Sequence, residues 1–136
     1  GYAAQTHRES IVGRIAEQVQ NIPPEVSCVY VPVGSGVTLA GVLEGKRKYD
    51  SSFSVVGLQP FGYDRTKSVS TICEGMSWEY DYEFRKGKYP YAKLHSRSIM
   101  DIELDMIYES KSFDMVEWKK DGSELFWIIG NTNKLR

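Results

Sequence analysis

The run Val26-Ser27-Cys28-Val29-Tyr30-Val31-Pro32-Val33-Gly34-Ser35-Gly36-Val37-Thr38-Leu39-Ala40-Gly41 decides the fold class. Its first half, residues 26–33, is almost continuously apolar and rich in β-branched side chains. A strand with one face in water alternates apolar and polar residues, whereas an unbroken apolar run is covered on both faces, as in a parallel sheet. Pro32 lies near the end of the run, where a lost ladder bond costs little. Gly34-Ser35-Gly36 then turns the chain, and residues 37–48 carry a helical pattern interrupted by Gly41 and Gly45. Phe53-Ser54-Val55-Val56-Gly57-Leu58 reads as a second buried strand. Strand, glycine turn, helix and strand make a βαβ unit, right-handed almost by rule.

Working outward, Ile11, Ile15 and Val19 recur at four-residue steps with Val12 alongside, which predicts an amphipathic helix over residues 6–20. Thr6 and Glu9 have capping-box spacing, and Asn21 with Pro23-Pro24 ends the helix. Downstream, a short helix is expected over 68–74. An extended segment or lid is expected in the stretch holding Trp78, Tyr80, Tyr82, Phe84, Tyr89 and Tyr91. A helix over 98–104, a short strand over 105–108 and a helix over 110–120 follow, the last with Phe113, Val116 and Trp118 facing inward and Asp121-Gly122 at its end. Residues 125–129 read as a last buried strand. No repeat, low-complexity tract or linker interrupts the chain. The expectation is a single α/β domain over residues 1–136, three-layered, with a mainly parallel sheet of about four strands and helices on both faces.

Composition narrows the function classes. The 136 residues are 41% apolar and 12% aromatic, enough for a globular core. Seventeen basic against eighteen acidic residues leave a formal charge of −1, so no face is built for nucleic acid or an anionic membrane. Lys46-Arg47-Lys48 sits where a helix ends and suits its dipole. Two cysteines, Cys28 and Cys73, make neither a disulfide framework nor a metal set. His7 and His95 have no ligand partners at metal spacing, so no metal site is expected. With no signal peptide or membrane-spanning run, the cytoplasm is the expected location.

Gly34-Ser35-Gly36-Val37-Thr38 follows a buried strand and opens a helix, where unpaired N–H groups and the helix dipole favour an anion. The two glycines allow close backbone approach, and Ser35 and Thr38 add hydroxyl donors. The segment is neither a Walker loop nor the dinucleotide fingerprint. Taken alone, it reads equally as an anion site or as a tightly packed turn. Likewise Tyr108 reads as a strand-end packing residue and Glu109 as a carboxylate at a helix start.

The stretch G-S-G-V-T-L-A-G is similar to the G-S-G-G-T-x-A-G phosphate loop of the 1-aminocyclopropane-1-carboxylate deaminase / D-cysteine desulfhydrase family, which are fold type II, tryptophan synthase β-like enzymes dependent on pyridoxal phosphate. Val37 stands where that pattern has its second consecutive glycine. Asp105-Met106-Ile107-Tyr108-Glu109-Ser110-Lys111-Ser112 resembles the family's D-P-V-Y-E-G-K-A/S. Phe126 to Asn133 (FWIIGNTN) resembles its closing strand and His-Thr-Gly-Gly turn, with Asn131 and Asn133 as departures. Tyr89-Pro90-Tyr91 falls near a family Gly-Tyr-Gly loop but lacks its glycines.

The resemblance implies a Rossmann-like half of such an enzyme. Gly34, Ser35, Gly36, Val37 and Thr38 would hold the cofactor phosphate, Glu109 would face the pyridine nitrogen, Thr132 would lie by the ring, and Tyr108 would act on substrate. Lys111 would not be the lysine that binds the cofactor covalently; no lysine of this chain sits in that context. The resemblance therefore implies a cofactor-binding portion, inactive alone, of an enzyme acting on a small amino acid. It further implies a fragment or split subunit that self-associates or joins a missing partner segment. The alternative is a non-catalytic module that binds a phosphate-bearing ligand or a protein partner.

Overall fold

The computed structural model describes residues 2–75, 81–88, 98–99, 102–103, 109–118 and 123–127. In order, the elements are α1 (Tyr2–Gln18), a 3₁₀ turn (Val19–Asn21), β1 (Cys28–Pro32), α2 (Val37–Lys48), β2 (Ser54–Gln59), α3 (Thr66–Gly75), β3 (Glu83–Lys86), β4 (Ser98–Ile99), β5 (Ile102–Glu103), α4 (Glu109–Asp114) and β6 (Glu124–Phe126). The main sheet has the order β3-β2-β1-β6, and every pair is parallel. Strands β1 to β3 step outward in one direction, while β6 lies on the other side of β1. That reversal is the hallmark of a doubly wound, Rossmann-like sheet.

The expected burial of β1 is met: all five residues are buried, because helices cover both faces. Val29, Val31 and Val33 point to one side, where they pack with Val12 and Val19 of α1 and its 3₁₀ extension, Leu39 and Val42 of α2, and Val69 and Cys73 of α3. Cys28 and Tyr30 point to the other, with Val56 and Leu58, against Met115, Val116 and Phe126. Aromatic edges close this second layer: the Phe113 ring meets Phe126 at 5.3 Å and Trp118 at 5.6 Å, and Trp118 meets Tyr30 at 5.6 Å.

Helix α2 spans the residues its pattern indicated, with its basic cluster in the last turn. Its glycines serve packing. A Cβ at Gly41 would lie 2.6 Å from Ile15, and one at Gly45 would lie 2.4 Å from Val19 and 2.6 Å from the Ala16 carbonyl. The two helices thus approach along a glycine groove closer than any side chain would allow.

Four expectations need correction. Helix α1 begins at Tyr2, so Thr6 lies inside it and no capping box forms there. Ala3, Ala4 and Gln5 are strong helix formers and carry the helix back past the cap. Within the segment 98–104 expected to be a helix, residues 98–99 and 102–103 are instead strands β4 and β5, paired antiparallel with Ile99 opposite Ile102. So short a segment cannot repay helix nucleation, and β-branched isoleucines suit a strand pair. Helix α4 runs only from Glu109 to Asp114. Beyond it the chain tightens, with Met115 N–H donating to Ser112 O and Val116 N–H to Phe113 O, which lays Met115 and Val116 onto the sheet. Trp118 is 44% exposed rather than turned inward, although its ring still contacts Tyr30 and Phe113.

The described strand of the aromatic stretch starts at Glu83, after the Trp78-Tyr80-Tyr82 alternation; Trp78, Tyr80, Tyr89 and Tyr91, and the strand expected over 105–108, lie outside the described residues. Among the described residues, no helix is long and apolar enough to cross a membrane, and no group of His, Cys, Asp and Glu could hold a metal ion.

Candidate functional site

In an open parallel sheet the strands' carboxyl ends open a crevice wherever neighbouring connections leave in opposite directions. Here that place lies between β1 and β6. Two of the sequence segments singled out for chemistry reach this edge. Pro32 stands opposite Leu58 in register, and the Val33 N–H donates to the Leu58 carbonyl at 2.8 Å. The buried Ser112 hydroxyl, from α4, donates to the same carbonyl at 3.3 Å. One oxygen therefore joins the start of the glycine turn to the segment that begins at Glu109. On the far side of β1, the Trp127 N–H donates to Tyr30 O at 2.8 Å, so the chain leaves β6 along the same edge.

The turn opens α2 on a left-handed glycine. Gly36 takes φ +95°, a left-handed backbone, and a Cβ there would lie 2.9 Å from Val69 Cγ2 of α3. Glycine is thus required twice over. The Val37 N–H donates to Ser35 Oγ at 3.4 Å, and the Ala40 N–H donates to Gly36 O at 3.0 Å as the first helical bond. Val37, Thr38 and Leu39 fill the first turn of α2, where N–H groups have no intrahelical acceptor. Gly34 is half-buried, Ser35 exposed, and Val37 and Thr38 half-buried. Val37 replaces a glycine of the resembling pattern without strain, because the helix already begins there and the left-handed residue is Gly36. The residues present fit a phosphate: an accessible hydroxyl, a second one partly accessible, and a glycine-lined helix start.

The remaining candidates are less complete. Glu109 opens the backbone of α4, but its side chain lies outside the described part. Tyr108 and Thr132 lie outside the described residues altogether.

Three buried polar residues stand at this edge, of which sequence reasoning passed over Gln59 and quoted Lys111 and Ser112 only as part of the segment 105–112. Gln59, Lys111 and Ser112 are the polar residues buried in the described part, and all three sit at the carboxyl edge. The Gln59 amide donates to the carbonyls of Phe61 and Tyr63 and accepts from the Arg65 N–H, so one side chain shapes the whole β2–α3 loop. Asp64 then caps α3 by accepting from the Thr66 hydroxyl and N–H, which hold its carboxyl below the usual range. The Lys111 ammonium lies 4.7 Å from the centre of the Phe61 ring. A glutamine closing an apolar strand just before Pro60-Phe61-Gly62 was the available signal for this loop.

A cavity of about 560 Å³ lies at the opposite, amino edge, beside Ser27, Tyr30, Lys46, Asp81 and Arg85. Arg85 there is already paired with Glu83 at 2.9 Å and rests on the Tyr30 ring, whose hydroxyl donates to Glu124 at 2.5 Å. Burial, and then the Glu124 carboxylate, push the Tyr30 hydroxyl well above its ordinary pKa. Among the described residues, none of the candidates lines this cavity.

No family model matches the chain, and no curated protein does. Among solved structures the chain is similar to one described as the crystal structure of an ACC deaminase homologue, with a TM-score of 0.68 and 23% identity. The match covers 90% of this chain and 45% of that one, so the chain spans less than half of the homologue's length. The likeness shows the fold: this chain has the α/β architecture found in part of an ACC deaminase homologue.

Proposed function

We propose that the chain is the cofactor-phosphate-binding portion of a pyridoxal-phosphate enzyme of the deaminase/desulfhydrase type, acting on a small amino acid and inactive alone. The observation that carries this reading is the convergence on the Leu58 carbonyl of β2, which joins the glycine turn to α4 at the carboxyl edge of the sheet. Ser35, Thr38 and the first-turn N–H groups of α2 would bind the phosphate. By the resemblance, Glu109 would hold a proton at the ring nitrogen, Thr132 would orient the ring, and Tyr108 would move a proton at the substrate. When bound, the cofactor supplies an electron sink for a carbanion at the amino acid.

The same reading makes residues 1–136 one domain that self-associates or joins a complementary segment. The match to less than half of the homologue's length supports this, as do β3 and β6, the outer strands of the sheet among the described residues. The buried thiols of Cys28 and Cys73, which are not joined in a disulfide, accord with a cytoplasmic setting.

A titration with pyridoxal phosphate, followed by absorbance and then by borohydride reduction and mass spectrometry, tests the reading. Saturable binding without a covalent lysine adduct is expected. Absence of binding at high micromolar ligand would leave the loop as a packing turn and favour a protein-binding module. Sedimentation giving a monomer at high concentration would refute self-association.

A further inference from the structure

We propose that Gln59 is a positioning residue for the phosphate-binding turn, a buried amide that acts through the β2–α3 loop and Val69 to hold Gly36 in its left-handed conformation. The inference rests on the phosphate-binding role given to that turn above, and it adds a residue that touches no ligand. A glycine takes positive and negative φ about equally readily, so Gly36 does not select φ +95° by itself. Val69 of α3 is the wall that selects it. Its Cγ2 lies 2.9 Å from where a Cβ of Gly36 would stand, and its backbone nitrogen 3.7 Å away. Val69 is 0% exposed, so the wall has no solvent to swing into. Gln59 places that wall. The Val69 N–H donates to Arg65 O at 3.0 Å, and the Arg65 N–H donates to Gln59 Oε1 at 2.9 Å. The other end of the same amide donates to the carbonyls of Phe61 and Tyr63, so the loop is gripped at three backbone points. Gln59 is itself anchored as the last residue of β2: it is 2% exposed, and its carbonyl accepts from the Gly87 N–H at 2.7 Å, just past β3. From Gln59 to Gly36 the route is therefore two hydrogen bonds and one van der Waals contact. A neutral amide suits the position, because it donates twice and accepts at once.

Once the wall loosens, Gly36 samples its other conformations, and affinity falls with the fraction of turns still competent to bind. A competent fraction of about one fifth gives about a fivefold loss. Ligands without a phosphate do not feel it, which separates this role from plain packing. The test titrates the whole chain with pyridoxal phosphate and with pyridoxal, alongside its urea midpoint. Gln59→Leu should lower pyridoxal phosphate affinity about fivefold and leave pyridoxal within about twofold. Val69→Ala removes the wall but no partner of Gln59, and it should give a loss in the same direction. The double variant should lose no more than the larger single loss, because both residues act along one route. Gln59→Glu keeps the proposal falsifiable if Gln59→Leu does not fold. A buried carboxyl is neutral at about pH 5, where it accepts from the Arg65 N–H and donates once, and charged at about pH 8, where it donates nothing. Its ratio of the two affinities, taken against wild type at the same pH, should therefore fall as pH rises. A wild-type ratio in Gln59→Leu, a ratio that does not change with pH in Gln59→Glu where the former is unfolded, or losses that add in the double variant overturn the proposal while the turn's own role stands. A wild-type chain that does not prefer pyridoxal phosphate to pyridoxal overturns both, and that failure shows before any substitution is made.

Discussion

Replacing Gly36 by alanine tests the geometry of the candidate site through stability. Two costs add. At φ +95° an L residue adopts left-handed backbone, worth about 1–2 kcal/mol. Its Cβ would also sit 2.9 Å from Val69 Cγ2, and Val69 is 0% exposed, so the methyl cannot swing into solvent. Overpacking of this kind costs about 1–3 kcal/mol. The expected loss is about 2–5 kcal/mol, read as a fall of the urea midpoint by about 1–2 M. A double-mutant cycle with Val69→Ala separates the parts: the overlap disappears with Cγ2, so about 1–3 kcal/mol should appear as coupling, while the backbone cost remains. Gly13→Ala is the control, because a Cβ there meets nothing within 4 Å inside a helix, and it should gain about 0.5–1 kcal/mol. A loss below about 0.5 kcal/mol for Gly36→Ala would refute both the left-handed turn and the contact with α3.

Other outcomes follow from the same packing. Gly45→Ala should cost about 3 kcal/mol or more in denaturant unfolding, because its Cβ would strike the Ala16 carbonyl, a backbone atom that cannot rotate away. Gln59→Leu leaves the Phe61 and Tyr63 carbonyls and the Arg65 N–H without their partner, so a loss of about 2–4 kcal/mol and faster proteolysis between residues 60 and 65 are expected. The Tyr30 hydroxyl has its pKa raised in the folded chain above the ordinary 10.0, so its contribution is fully present below pH 10 and is lost as pH rises beyond it. The unfolding free energy of the wild type should therefore fall more steeply above pH 10 than that of Tyr30→Phe, and parallel curves would contradict the buried bond to Glu124.

The periodicities identified elements whose burial is set locally. The unbroken apolar run before Gly34 could only be a strand covered on both faces, and α2 appeared with the bounds its pattern gave. The glycine turn between them was legible for the same reason, since small residues after a buried strand have few uses. Short elements were not legible. Residues 98–99 and 102–103 form a strand pair, and α4 stops at Asp114, because neither segment is long enough for its own pattern to outweigh its neighbours.

By itself, then, the sequence determined the βαβ unit, the parallel sheet and the position of the glycine turn, because these follow from chain-local hydrophobicity and glycine placement. Only the tertiary structure decided the strand order β3-β2-β1-β6, and with it the switch point between β1 and β6. It alone brought Ser112 and Val33 to one carbonyl and buried Gln59 and Lys111 at the same edge. Polar side chains carry no hydrophobic periodicity, so their burial depends on partners far along the chain that only folding brings near.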